Sequence, residues 1–70
     1  MDYIVLEVQL NNGVPAITPF AFTNAQRKQA LAKYYYILSI ACESNIDMHG
    51  AFYLSGAGEL LKSEIFDNRE

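Results

Sequence analysis

The first clear pattern in the chain is an alternation of side chains over residues 3–10, "YIVLEVQL". The even-numbered positions of this stretch are all aliphatic: Ile4, Leu6, Val8 and Leu10. The odd-numbered positions mix apolar and polar side chains: Tyr3, Val5, Glu7 and Gln9. Because successive side chains of a strand point to opposite faces, the pattern predicts a strand with one fully apolar face.

A turn and a second strand are predicted next. The sequence "NNG" at residues 11–13 is typical of a tight turn, because Asn and Gly tolerate positive φ. Residues 14–22, "VPAITPFAF", predict an extended return strand. Pro15 and Pro19 cannot donate ladder hydrogen bonds, so this strand is expected at an edge of the sheet or as an irregular segment.

A long helix is predicted from Thr23 to about Ser44. Thr23 and Gln26 match a capping box, and nothing up to Ser44 breaks a helix. The helical repeat marks one stripe of residues that faces the sheet: Leu31, Tyr34, Leu38 and Ala41. Three further residues flank this stripe: Ala30, Ile37 and Cys42. A helix of about 20 residues is roughly 30 Å long, so it is expected to span the whole molecule.

The last third of the chain predicts a β-hairpin. Residues 48–55, "MHGAFYLS", alternate between a face with Met48, Gly50, Phe52 and Leu54 and a face with His49, Ala51 and Tyr53. The glycines of "SGAGE" at residues 55–59 predict a hairpin loop, and "ELLKSEIF" predicts the last strand. Residues 68–70 are expected to form a frayed polar tail.

These elements predict one α+β domain over residues 1–67, in ββαββ or βαββ order. A small antiparallel sheet would carry one long helix packed across one face. The other face would keep the side chains of Tyr3, Val5 and Tyr53, or of their opposites, and Tyr35 and Tyr36 remain on the helix. An exposed apolar face on so small a protein predicts a homodimer or a higher oligomer.

Composition supports self-association. The chain has 70 residues, of which 51% are hydrophobic, and one cysteine, Cys42. Small domains usually need disulfides, a metal or a partner subunit for stability, and one cysteine cannot form an internal disulfide. A partner subunit is the support that remains.

The expected compartment is a reducing one. A lone thiol is typical of cytoplasmic proteins. The N-terminal "MDYIVLEVQL" has acids at Asp2 and Glu7 and no basic region, so it does not resemble a signal peptide. Since no apolar run approaches the roughly 20 residues that span a bilayer, we expect a soluble cytoplasmic protein without membrane contact.

The net charge of −3 argues against general nucleic-acid binding. The charges are unevenly distributed, because residues 8–42 contain three of the five cations and none of the eight acids. Such polarity attracts anions or pairs subunits head to tail, although chance in a short chain explains it equally well.

Catalytic and metal sites are not indicated. Nucleophilic chemistry would need Cys42 to meet His49, but Cys42 lies in an apolar segment and is expected to be buried. His49 is kept as a candidate ligand-binding residue, with a solvent, interface or pocket position open. One His and one Cys give no metal-ligand spacing, and "SGAG" lacks the lysine of a phosphate loop. We therefore expect a non-enzymatic protein without a cofactor.

The start of the helix is the best candidate site. Arg27 and Lys28 lie where the helix dipole is already positive, which favours an anion close by. Lys33 follows within two turns, and the rings of the next residues are suited to stacking on a base: Tyr34, Tyr35 and Tyr36. The alternative is that the cations are solvated and the tyrosines serve core and interface.

The segment "AKYYYILSIACESNIDMHGAFYLSGAGELLKSEIF" resembles a group of very small proteins from phages and prophages of Gram-positive bacteria. The similar features are short and cover roughly residues 1–67: Lys33-Tyr34, Ile37-Leu38, Met48-His49, Gly58 and Lys62-Ser63-Glu64. The chain departs from the group at Tyr35, where histidine is common. The resemblance implies a phage origin and action in the cytoplasm of the bacterial host.

Phage proteins of this size are often anti-defence factors. The leading hypothesis is an oligomer that sequesters a nucleotide immune signal, such as an ADP-ribose derivative or a cyclic nucleotide. The alternatives are an inhibitor that binds a host defence protein through its apolar sheet face, and a structural or assembly accessory of the virion.

Overall fold

The computed structural model describes residues 2–69 and forms a four-stranded antiparallel sheet with one helix packed on it. The strands are β1 (Tyr3–Asn11), β2 (Val14–Phe22), β3 (Met48–Ser55) and β4 (Leu60–Asp67). The helix α1 (Arg27–Ala41) follows a short 3₁₀ turn, Asn24–Gln26. The strand order across the sheet is β2-β1-β3-β4, which confirms the predicted α+β fold in ββαββ order.

The β1–β2 hairpin confirms the turn and edge predictions. Asn12 and Gly13 have φ angles of 54° and 79°, the left-handed conformation that a tight hairpin requires. β2 pairs only with β1 and is an edge strand, as the missing amide hydrogens of Pro15 and Pro19 require. Local turn chemistry therefore sets the register from Asn11–Val14 to Tyr3–Phe22.

The helix begins as predicted and ends early. The Thr23 amide donates a hydrogen bond of 2.9 Å to the Gln26 side-chain oxygen, one arm of the capping box. α1 has 15 residues, about 22 Å, in a molecule 40 Å long, so it does not span the molecule. It ends at Ala41 and not near Ser44, because the amides of Glu43 and Ser44 bond three residues back and tighten the last turn.

The helix is rotated relative to the predicted stripe. Its buried residues are Ala30, Tyr34, Ile37 and Ala41. Leu31 and Leu38, which were expected to face the sheet, are only half-buried at the side of the helix. Ala30 and Ala41 are 0% exposed, so the helix packs against the sheet partly through small side chains.

The prediction that Cys42 is buried is wrong. It was expected in the core, but it is exposed, and its thiol donates a hydrogen bond of 3.2 Å to the Ser39 carbonyl. The reason is its place at the C-cap of the shortened helix, beyond the last residue that contacts the sheet.

The core lies between α1 and the odd-numbered face of β1 and β3. It is built from six buried residues: Val5, Ala30, Tyr34, Ile37, Ala51 and Tyr53. Five half-buried residues pack around it: Tyr3, Phe20, Phe22, Leu31 and Leu38. The sequence left open which sheet face the helix covers, and it covers the face that carries Tyr3, Val5 and Tyr53.

The opposite side of the sheet has no covering element among residues 2–69. We call it the open face. The strand registers place on it the even-numbered residues of β1 and β3 and their neighbours on the edge strands: Ile4, Leu6, Val8, Leu10, Met48, Gly50, Phe52, Leu54, Pro15, Ile17, Pro19, Ala21, Leu60, Ser63, Ile65 and Asp67.

The last two described residues, Asn68 and Arg69, form hydrogen bonds with the neighbouring chain. The Asn68 amide donates to the Asp47 carbonyl at 2.7 Å, and its side chain donates to the carbonyls of Ser44 and Ile46. Arg69 donates two side-chain hydrogen bonds to Asp67 and lowers the pKa of that carboxyl to about 2. Met1 and Glu70 lie outside the described residues. Over residues 2–69, no helix is long and apolar enough to cross a membrane.

Candidate functional site

A cleft of about 540 Å³ opens beside the start of α1 and the turn between β3 and β4. Its walls come from β1, α1, β3, β4 and the β3–β4 loop: Tyr3, Arg27, Leu31, Tyr53, Ser55, Glu59, Leu61 and Lys62. Its volume falls within the range of pockets that hold small molecules. The strand order creates the cleft, because β3 ends, and β4 begins, next to the first turn of the helix.

The floor of the cleft is aromatic. The rings of Tyr3 and Tyr53 are stacked, with centroids 5.6 Å apart and planes inclined by 17°. Tyr53 is buried, with 3% of its surface exposed, whereas Tyr3 is half-buried. Tyr3 therefore has the ring that remains accessible to a ligand.

Two cations from different elements lie at this cleft. Arg27 is the first residue of α1, and Lys62 is the third residue of β4. One acid, Glu59, accompanies them at the wall. The two positive side chains, together with the positive end of the helix dipole, favour an anionic group between them.

The loop that carries Glu59 is fixed by hydrogen bonds. The Ser55 amide donates to the Glu59 carbonyl at 2.9 Å, and the Glu59 amide donates to the Ser55 hydroxyl oxygen at 3.2 Å. Gly58 has a φ of 88° and closes this turn. Glu59 is thus positioned at the cleft by its backbone, which leaves its carboxylate available.

The structure separates the predicted cations. Of Arg27, Lys28 and Lys33, only Arg27 lines the cleft. Lys28 is exposed. The Lys33 ammonium lies 4.2 Å from the ring centroid of Phe20 on β2 and 5.4 Å from that of Tyr36. Since β2 and β4 are opposite edges of the sheet, Arg27 and Lys33 lie on different sides of the helix.

The three consecutive tyrosines also separate. Tyr34 is buried in the core, with its ring centroid 6.2 Å from that of Tyr53. Burial raises the pKa of the Tyr34 hydroxyl, and the negative charge of Glu64 adds to the effect. Tyr35 packs edge-on against Tyr34 at 5.2 Å, but both Tyr35 and Tyr36 are more than half exposed and lie outside the cleft.

His49 belongs to a polar cluster at the far end of β3. It is 2% exposed, and its Nε2–H donates to the Glu7 carboxylate at 2.8 Å. The Gln9 amide donates to the same carboxylate oxygen at 3.2 Å. His49 lies about 20 Å along β3 from Ser55, so the structure does not place it at the cleft. The carboxylate pairs with only one ring nitrogen, since the buried Nδ1 of His49 has no hydrogen-bond partner among residues 2–69.

Seven of the eight cleft residues were not among the sequence candidates: Tyr3, Leu31, Tyr53, Ser55, Glu59, Leu61 and Lys62. One sequence signal was available for the two tyrosines, since both fall on the odd-numbered face of their strands. No local signal connects Lys62 to Arg27, because 34 intervening residues and the strand order bring them together.

The Tyr53 hydroxyl has no hydrogen-bond partner among residues 2–69, although it is buried. Since an unpaired buried hydroxyl costs free energy, we expect Tyr53→Phe to leave the free energy of unfolding unchanged or to raise it by about 1 kcal/mol. Urea unfolding followed by far-UV circular dichroism measures the difference. A loss of stability beyond 1 kcal/mol would show that the hydroxyl is paired.

Comparisons of the chain with protein-family models, with curated proteins and with solved structures gave no match. The function of the cleft is therefore inferred from its own residues.

Proposed function

We propose that the protein binds a nucleotide in the cleft and does so without chemical turnover. The observation that supports this most is the meeting of Arg27 and Lys62 at a cleft whose floor contains the Tyr3 and Tyr53 rings. Nucleotides combine a phosphate with an aromatic base, and this cleft offers a partner to each part.

Each side chain has a distinct part in this binding. The planar guanidinium of Arg27 donates paired hydrogen bonds to a phosphate, and the Lys62 ammonium supplies a second positive charge. The accessible ring of Tyr3 stacks on the base. Glu59 accepts hydrogen bonds from hydroxyl groups of the ribose.

The chemistry of the cleft supports binding without turnover. The side chains that line it include neither histidine nor cysteine, and its one hydroxyl nucleophile, Ser55, is buried and accepts a hydrogen bond from the Glu59 amide. Activation of a serine needs a general base bonded to its hydroxyl, and among residues 2–69 no side chain forms a hydrogen bond with the Ser55 hydroxyl. A nucleotide bound here would be retained intact.

Retention of this kind is the activity of a sequestering protein. We propose that it acts in the cytoplasm of an infected bacterium, as the resemblance to small phage proteins implies. There it would lower the free concentration of a nucleotide immune signal, an ADP-ribose derivative or a cyclic nucleotide, and so act against host defence.

Isothermal titration with ADP-ribose, AMP and a cyclic dinucleotide tests the proposal. We expect saturable binding of at least one of them, weakened about tenfold or more by Arg27→Ala and by Lys62→Ala, because each removes a charged contact to phosphate. The nucleotide recovered after prolonged incubation should be chemically unchanged.

Lys28→Ala is the matched control. It removes a cation one residue from Arg27 that does not line the cleft, so affinity should stay within about twofold of the original protein. The proposal fails if none of the three nucleotides binds. It also fails if Lys28→Ala weakens binding as much as Arg27→Ala, since the charge would then act only through the general field of the helix.

A further inference from the structure

The open face is the most apolar surface of the protein. Thirteen of its sixteen residues are hydrophobic or proline, the others being Gly50, Ser63 and Asp67. Asp67 is the only charged residue on this face within residues 2–69, and it lies at one corner opposite Met48 and bonds to Arg69. Contiguous apolar surface of this kind is rare on monomers and marks an interaction surface.

The fold covers the less apolar face of the sheet instead. The helix side includes the polar Glu7, Gln9 and His49 in the middle two strands. The core on that side is small, and its largest fully buried side chains are Ile37 and Val5. Domains of about this size with a small core usually need further support, such as a partner subunit.

Both edges of the sheet disfavour pairing with a strand from another chain. β2 carries Pro15 and Pro19, which interrupt the row of amide donors at that edge. β4 carries Lys62 and Glu64, charged side chains that oppose pairing with another strand. Association through strand addition is therefore disfavoured, and the open face is the remaining candidate for an interface.

We infer that a second copy of this chain covers the open face, related by a two-fold axis, with the two sheets packed about 10 Å apart. The centre of the face carries no charged residue, so two copies can pack face to face without burying an unpaired charge. The molecule is 19 Å across its second principal axis, and an eight-residue strand is about 27 Å long, which gives roughly 500 Å² of projected area per copy. Two copies together reach the roughly 1,000 Å² of a specific interface.

The dimer has four layers, with the helices outside and the sheets in the middle. The cleft lies on the helix side of each sheet, so both clefts remain accessible and complete within one protomer. Dimerisation does not depend on the proposed ligand, and failure of nucleotide binding would leave it unaffected.

Sedimentation equilibrium at micromolar concentration tests the inference. We expect a particle of twice the 7.9 kDa chain mass. Ile17→Lys places a charge on the open face at a side chain that is 61% exposed in the single chain, so folding should be preserved. It should raise the dimer dissociation constant at least about tenfold, and Leu6→Lys near the centre of the face should give a monomer.

Ile40→Lys is the matched control, the same substitution on the exposed side of the helix, and it should leave the dimer intact. Far-UV circular dichroism establishes that each variant is folded. A folded monomer of the original protein would overturn the inference. Dimers that persist in Ile17→Lys and Leu6→Lys, but dissociate in Ile40→Lys, would overturn it by placing the interface on the helix.

Discussion

Gly50→Ala is expected to unfold the protein or to displace β4 from the sheet. A Cβ atom at this position would overlap the Glu64 carbonyl oxygen and lie 2.7 Å from both the Ile65 Cα and the Ile65 Cδ1. Two of these three atoms belong to the backbone of the paired strand, so they cannot move without breaking the β3–β4 ladder. We expect a loss of about 3 kcal/mol or more, a large part of the stability of a domain this small.

Thermal and urea unfolding, followed by far-UV circular dichroism at one fixed protein concentration, measures this loss. Gly13→Ala is the control, because a Cβ there has no atom of the described chain within 4 Å. Gly13→Ala should lower the free energy of unfolding by about 1 kcal/mol, which arises only from the φ of 79°. If Gly50→Ala proves as mild as Gly13→Ala, then β4 does not lie against Gly50 as the structure has it.

The strands were predictable because their signals are local. The prolines of β2 lack amide hydrogens wherever the strand lies, so they determine an edge before any topology is known. Asn12 and Gly13 adopt left-handed backbone conformations easily and so determine the hairpin. In the same way, the side-chain alternation of β1 and β3 follows from strand geometry alone.

The rotation of the helix was not predictable from its own residues. Apolar side chains occur on more than half of its circumference, and Tyr35, Tyr36 and Ile40 are exposed in the structure despite their chemistry. A stripe through Leu31 and Leu38 and a stripe through Ala30 and Ile37 fit the helical repeat equally well. The structure buries the stripe through Ala30 and Ile37, and the choice between the two stripes depends on the sheet surface opposite.

Of the eight residues that line the cleft, only Arg27 was a candidate from the sequence. Arg27 was found because a cation at a helix start is unusual and stands out in sequence. Lys62 was not found, because its partnership with Arg27 depends on strand order. β4 pairs with β3 at the edge beside the helix start, and no spacing along the chain encodes that proximity.

Ile37→Ala and Leu38→Ala are expected to differ in their effects on stability, although the two residues are adjacent. Ile37 is 2% exposed and lies in the core between the helix and the sheet. Its truncation should lower the free energy of unfolding by about 3 kcal/mol, from lost burial and the cavity that remains. Leu38 is half-buried at the edge of the core, where solvent and neighbouring side chains fill the space, so its truncation should cost about 1 kcal/mol.

Both variants gain the high helix propensity of alanine, so propensity contributes little to the difference between them. The comparison must be made at one protein concentration, because unfolding of a dimer is coupled to its dissociation. Equal losses of unfolding free energy, or a larger loss for Leu38→Ala, would contradict the observed rotation of the helix. They would indicate that the stripe through Leu31 and Leu38 faces the sheet. A difference of about 2 kcal/mol in the expected direction requires that Ile37, and not Leu38, is buried against the sheet.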